Sequence, residues 1–215
     1  MFVKKLRILS MNLGRSFVPV KDRKRKAYIA DFIKYEDYDV VMLQGDSIDL
    51  DGSNYTVVNG NKKVSLLCND RLKGFNSVLG CENVNSSFIY CENSILACIN
   101  VCCNNSKNFQ DVVAVCDAYS KFDSQYYLPT RIVAGRFPRE VDINEFCDRF
   151  DLTDVSTLVG QESHIKNNRD MLNHFFISRN LEIDSVHKLV GMTEKSGIGE
   201  AYPIEASISY KKVLK

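Results

Sequence analysis

Two arginines, Arg136 and Arg139, follow an apolar run in the stretch Thr130-Arg131-Ile132-Val133-Ala134-Gly135-Arg136-Phe137-Pro138-Arg139. A guanidinium stays protonated and offers a planar fork of donors, so it pairs with carboxylates or with anionic ligands. The run Ile132 to Ala134 reads as a buried strand ending in a polar loop at the sheet edge, a common position for chemistry. Lys21, Arg23, Lys24, Arg25 and Lys26 form the densest basic run. Nucleic-acid phosphates or an acidic protein partner would suit it, as would plain solvation, because short Lys/Arg runs are weak motifs. No aromatic-rich basic platform for single strands is evident beside it.

Other reactive side chains carry weaker signals. The eight cysteines include no Cys-x-x-Cys pair and have few histidines nearby, so zinc spacing is absent. Most lie in apolar runs, such as Cys98 in Ile95-Leu96-Ala97-Cys98-Ile99, where a free thiol behaves as a small hydrophobe. His164, His174 and His187 are isolated from one another, and a lone histidine is more often a hydrogen-bonded or surface residue than a catalyst. Met1 to Leu13 carries Lys4, Lys5 and Arg7 before a short apolar run broken by Asn12, too polar for a signal peptide or anchor. An intracellular, cytoplasmic protein with reduced cysteines is the expectation.

The elements that must position these groups follow from periodicity. Leu6 to Leu13 reads as a strand, and Asp22 as the cap of a helix over Arg23 to Tyr35 with Ile29, Phe32 and Ile33 on one face. The basic run then falls in the loop entering that helix. Val40 to Leu43 is a second buried strand, and this strand–helix–strand order suggests a layered α/β protein. Tyr55 to Val58 and Val64 to Cys68 read as a hairpin turning at Asn59-Gly60, lengthened if Asn61-Lys62-Lys63 joins the turn. Residues 76–84, 87–91 and 94–102 continue a strand-rich meander. Phe109, Val112, Val113, Cys116 and Tyr119 form the clearest helical stripe. A short helix at 143–150, a strand at 172–178 and an alternating strand at 202–210 complete the chain.

A chain of 215 residues with no Pro/Gly-rich linker, repeat or low-complexity tract is expected to form one domain over residues 1–215. Its net charge of +1 gives no global attraction to nucleic acid or membrane, so any electrostatic site must be local.

Several short stretches fall in the order of the endonuclease/exonuclease/phosphatase superfamily, the deoxyribonuclease-I-like fold. Arg7-Ile8-Leu9-Ser10-Met11-Asn12 resembles its first strand, and Asp39-Val40-Val41-Met42-Leu43-Gln44 the strand before its metal-binding Glu. Ile99-Asn100-Val101-Cys102 resembles the strand ending in Asn-x-His. Gly135-Arg136-Phe137-Pro138 resembles Gly-Asp-Phe-Asn. Leu172-Asn173-His174-Phe175-Phe176-Ile177-Ser178 resembles Ile-Asp-Tyr-Ile-Phe-Val-Ser, and Gly199-Glu200-Ala201-Tyr202-Pro203-Ile204 resembles Ser-Asp-His-Tyr-Pro-Val. The resemblance spans about Leu6 to Tyr210. It implies an α+β four-layer α/β/β/α sandwich of two mixed, mostly antiparallel sheets with helices outside.

The resemblance also implies phosphodiester or phosphomonoester hydrolysis, with a divalent cation on the Glu, an Asp orienting water and an Asp-His pair. Asn12 matches the family's site Asn, and the carry-over fails at most of the other site positions. Gly45 stands at the metal-binding Glu, Cys102 at the His, Arg136 and Pro138 at the Asp and Asn, Asn173 at the penultimate Asp, and Glu200 and Ala201 at the final Asp-His. Losing one oxyanion-stabilising donor costs a hydrolase about 2.7–4 kcal/mol of barrier, and here several groups are gone together. A cationic Arg136 near the metal position would repel Mg²⁺ by several kcal/mol at intermediate dielectric.

The expectation is therefore a degenerate, non-catalytic site that needs no cofactor and acts by binding a protein or an anionic ligand such as a phosphate or nucleic acid. Arg136, Arg139, Arg23, Lys24, Arg25 and Lys26 are the candidate ligand contacts. Arg136 and Glu200 could also form a structural ion pair, since buried charges need partners. The competing expectation is a divergent Mg²⁺-dependent phosphodiesterase or nuclease using Asp46, Asn12, Asn173 and Glu200. Asp46 reaches a metal only if the strand end is bulged, because period-two geometry otherwise turns it away.

Overall fold

The computed structural model describes residues 5–14, 19–50, 52–61, 63–91, 94–103, 105–123, 130–159, 171–192 and 202–210. Two six-stranded sheets lie face to face. The first contains β1 (Leu6–Asn12), β2 (Val40–Gln44), β3 (Tyr55–Gly60), β4 (Val64–Asn69), β11 (Leu181–Lys188) and β12 (Ile204–Tyr210), in the order β11-β12-β1-β2-β4-β3. The second contains β5 (Lys73–Cys81), β6 (Val84–Cys91), β7 (Ser94–Cys102), β8 (Thr130–Pro138), β9 (Leu152–Asp154) and β10 (Met171–Ser178), in the order β5-β6-β7-β8-β10-β9. Each sheet has one parallel pair, β1 with β2 and β7 with β8, and its other pairs are antiparallel.

The layers follow from alternation along each strand. Leu6, Ile8, Val40, Met42 and Leu66 meet Leu96, Cys98, Ile132, Ala134, Phe175 and Ile177 between the sheets. The opposite residues of the first sheet, Leu9, Met11, Val41 and Leu43, bury Ile29, Ala30 and Ile33 of α1 (Pro19–Glu36). Those of the second sheet, Ala97, Ile99, Val133 and Phe176, bury α2 (Ser106–Asp123) and α3 (Ile143–Phe150) through Val112, Cys116, Tyr119, Phe146 and Phe150. These are the four layers anticipated from the sequence. All eight cysteines are free thiols, seven of them buried and Cys81 exposed.

Several boundaries differ from the sequence reading. The first helix begins at Pro19, four residues before Arg23, so the basic run lies inside it and Asp22 is not its cap. Proline suits a first helical turn because its missing N–H would have no intrahelical acceptor there. Asn59 and Gly60 belong to β3, and Asn61 makes the turn, its Oδ1 accepting from Lys63 N at 2.8 Å and Val64 N at 3.0 Å. Strand β8 continues through Pro138, so Arg136 is a strand residue and not a loop residue. His187 lies on β11, while His164 lies outside the described residues.

Candidate functional site

One row of side chains crosses three strands of the second sheet. Cys102 on β7 is the Cα partner of Arg136 on β8, which is the partner of Asn173 on β10. Cys98, Ala134 and Phe175 face the space between the sheets, so period two turns Cys102, Arg136 and Asn173 to that same face. A second row comes from the first sheet, where Asn12 and Gln44 are partners across β1 and β2. Ile8 and Met42 set their inward direction in the same way.

The two rows lie at one end of the sandwich because buried amides tie the sheets together there. Gln44 Nε2 donates to Asn100 Oδ1 at 2.8 Å and to Ser10 Oγ at 3.2 Å. Asn100 Nδ2 in turn donates to Leu43 O at 2.9 Å and Ser65 O at 2.8 Å. The Asn of the Asn-x-His strand is thus engaged in holding one sheet on the other. Sequence gave no signal of this, because Gln44 and Asn100 are far apart in the chain.

Position 45, which the resemblance aligns with the metal-binding Glu, has its own geometry. Gly45 has φ +89°, and a Cβ there would lie 2.7 Å from Gly14 O. Leu13 N donates to Gln44 O at 2.8 Å and Gly45 N to Lys63 O at 2.7 Å, which clamps this backbone. Asn12 turns its Oδ1 to Gly14 N at 2.9 Å, closing the adjacent loop. Gly45→Glu is therefore expected to destabilise the fold by about 1–3 kcal/mol of backbone strain and to confer no Mg²⁺-dependent turnover. Urea unfolding and assay with bis(p-nitrophenyl) phosphate check both parts, and activity in a stably folded variant would contradict the argument.

Of the two candidate carboxylates, Asp46 lies among the described residues and is occupied. Asp46 Oδ2 lies 2.6 Å from Lys26 Nζ, and its Oδ1 accepts from Ser47 N at 2.7 Å. Among the described residues no group of three or more His, Cys, Asp or Glu side chains could hold a metal ion. A glycine, a guanidinium and an ion-paired carboxylate do not fit a divalent cation, and the described donors offer no step through one. His174 faces away from Asn173, as alternation requires. Its Nδ1 lies 2.7 Å from Asp154 Oδ2, and its ring stacks on Phe176 with an edge contact to Phe137.

Of the predicted contacts, Arg136 is half-buried and Arg139 exposed just beyond the row. Pro138 ends the same strand, two residues past Arg136. On α1, Arg23 and Lys24 are exposed, Arg25 is half-buried and Lys26 is committed to Asp46. The sequence reading missed Lys188, whose Nζ lies 4.8 Å above the Tyr202 ring and whose register partner Ile204 pairs with Ser10. Glu200 and Ala201 lie outside the described residues. No helix among the described residues is long and apolar enough to cross a membrane.

No protein-family model and no curated protein matches the sequence. Solved structures do match its path. An endonuclease/exonuclease/phosphatase family protein from Bacteroides thetaiotaomicron aligns at 12% identity over 99% of this chain and 100% of its own, with a TM-score of 0.66. The endonuclease domain of TRAS1, a telomere-specific non-LTR retrotransposon, aligns at 12% identity over 97% and 100%, with a TM-score of 0.69. The human Nocturnin catalytic domain with bound sulfate anion aligns at 14% identity over 96% and 94%, with a TM-score of 0.65. Two stacked sheets with helices outside, matched end to end by these proteins, give this chain the endonuclease/exonuclease/phosphatase, or deoxyribonuclease-I-like, fold.

Proposed function

We propose that this domain binds a phosphate-bearing anion at the Arg136 end of the sandwich and does not hydrolyse it. The observation that supports the reading is the inward row Cys102–Arg136–Asn173, whose permanent cation stands at the position that the resemblance aligns with an acid. A half-buried guanidinium makes stronger hydrogen bonds to an anion than a solvated one, because less water competes. The Nocturnin domain of the same fold was solved with a sulfate, an anion of phosphate shape. Arg139, exposed just past the end of β8, adds charge near that end. Glycine at position 45 and the Lys26–Asp46 pair supply no replacement for the cation that hydrolysis in this fold would use.

Calorimetric titration with inorganic phosphate and pyrophosphate at low salt tests the reading. Arg136→Met is expected to weaken binding about tenfold or more, since hydrogen bonds to charged groups contribute about 1.5–3 kcal/mol. The parent protein is expected to leave bis(p-nitrophenyl) phosphate intact with Mg²⁺ or Mn²⁺. Metal-dependent turnover that disappears in Glu200→Gln would overturn the reading in favour of a rearranged phosphodiesterase.

A further inference from the structure

The outer face of α1 carries an arrangement set apart from the Arg136 row. Ile29, Ala30 and Ile33 are buried against the first sheet. The opposite face exposes Arg23, Lys24, Ala27, Tyr28, Asp31, Lys34 and Tyr35. Tyr28 is 37% exposed and Tyr35 is 85% exposed, an unusual position for so large an aromatic. Lys24, Tyr28, Asp31 and Tyr35 recur at i, i+4, i+7 and i+11, which places them on one stripe. Three exposed cations, Arg23, Lys24 and Lys34, stand there against one carboxylate, Asp31.

We infer that this face of α1 is a sequence-tolerant platform for single-stranded nucleic acid, not evident in the sequence because the helix from Pro19 is what brings Tyr28 and Tyr35 onto the stripe of Lys24. Seven residues of helix separate the two rings by about 10 Å, the span of roughly three stacked bases at about 3.4 Å each. Aromatic rings stack on any base, and neighbouring cations follow the backbone, which is how proteins hold single strands without reading sequence. A membrane surface fits less well. An interfacial helix turns aliphatic residues outward, whereas the isoleucines of α1 face the core and its outer stripe carries a carboxylate between its tyrosines. The inference is independent of the Arg136 reading, since none of its residues lies in that row.

Fluorescence anisotropy with a labelled 12-nucleotide oligothymidine, in EDTA, tests it on the whole protein. With three cations engaged, log K is expected to fall with log salt at a slope of about −2. Tyr28→Ala and Tyr35→Ala are each expected to weaken binding about fivefold or more, while the Tyr→Phe changes keep it. Both positions are exposed, so an unchanged melting curve shows that the variants remain folded. Arg136→Met is expected to leave oligonucleotide affinity intact, so failure of phosphate binding and failure of this platform are distinguishable. No binding at low salt, binding indifferent to both tyrosines, or tighter tyrosine-dependent binding to phosphatidylserine vesicles would overturn the inference.

Discussion

Gly135→Ala is expected to remove a large share of the stability of the domain. The residue sits in β8, flanked by β7 and β10, at φ +137°. An added Cβ would lie 2.0 Å from Val101 O and 2.9 Å from Val101 C. Those are backbone atoms of the paired strand, held by the parallel ladder in which Val101 and Gly135 are partners. They cannot swing aside as the end of a side chain would. The unfavourable φ costs about 1–3 kcal/mol and the overlap a further 1–3 kcal/mol or more, against a total of about 5–15 kcal/mol for a domain. Gly191→Ala is the matched control, because nothing lies within 4 Å of its added Cβ. Its effect is expected to stay within about 0.5 kcal/mol. Urea midpoints for the two variants decide the matter, and equal midpoints would refute the close-approach argument.

Alkaline pH is expected to unfold the protein well before the peptide chain is damaged. Burial pushes the Cys68 and Cys116 thiols up to about 12 and Cys147 to about 11, from an ordinary value of 9.0. Burial raises Cys98 and Cys103 as well. Each folded-state value lies above its unfolded one, so the stability is fully present below pH 9 and is lost as pH rises toward the folded values. One unit above the ordinary thiol value, each buried thiol costs about 1.4 kcal/mol. The three most enclosed, Cys98, Cys103 and Cys116, together contribute about 4 kcal/mol, and the less enclosed Cys68 and Cys147 contribute less because solvent screens them, so the sum is a large part of a domain's stability. Desolvation also lifts the Tyr55 hydroxyl to about 12, which adds to the trend above pH 10. Urea unfolding under a reducing agent at pH 7, 9 and 10 measures it, and a midpoint unchanged at pH 10 would sink the prediction.

Strongly periodic segments were legible in the sequence. The stripe from Phe109 to Tyr119 became α2, and residues 143–150 became α3, where Asp142 Oδ1 accepts from Asn144 N and Glu145 N, both at 3.0 Å. Strand β11 was hidden by its own irregularity. A bulge between Ile183 and Ser185 shifts its register, so alternation read from Leu181 changes phase before Lys188. Three-residue β9 is too short to show a period at all. The row Cys102–Arg136–Asn173 was legible because three strand-end motifs already aligned its members. Other features of the site depend on contacts between distant segments. Gln44 meets Asn100, Lys26 meets Asp46, and Gly45 meets Gly14, and no local spacing announces such meetings. The basic run misled for a related reason. Placing the helix start at Pro19 assigns Lys26 inward and Lys24 outward, a distinction that composition cannot make.

The Gly14–Gly45 contact couples the two loops. Both residues hold left-handed backbone, with φ values of +70° and +89°, so the two loops are an epistatic pair. A carboxylate at position 45 becomes tolerable only after the turn at position 14 has been redrawn. Redrawing position 14 first would break the Asn12 Oδ1 bond that closes that turn. A library that varies positions 14 and 45 together is therefore expected to yield more folded position-45 variants than one that varies position 45 alone.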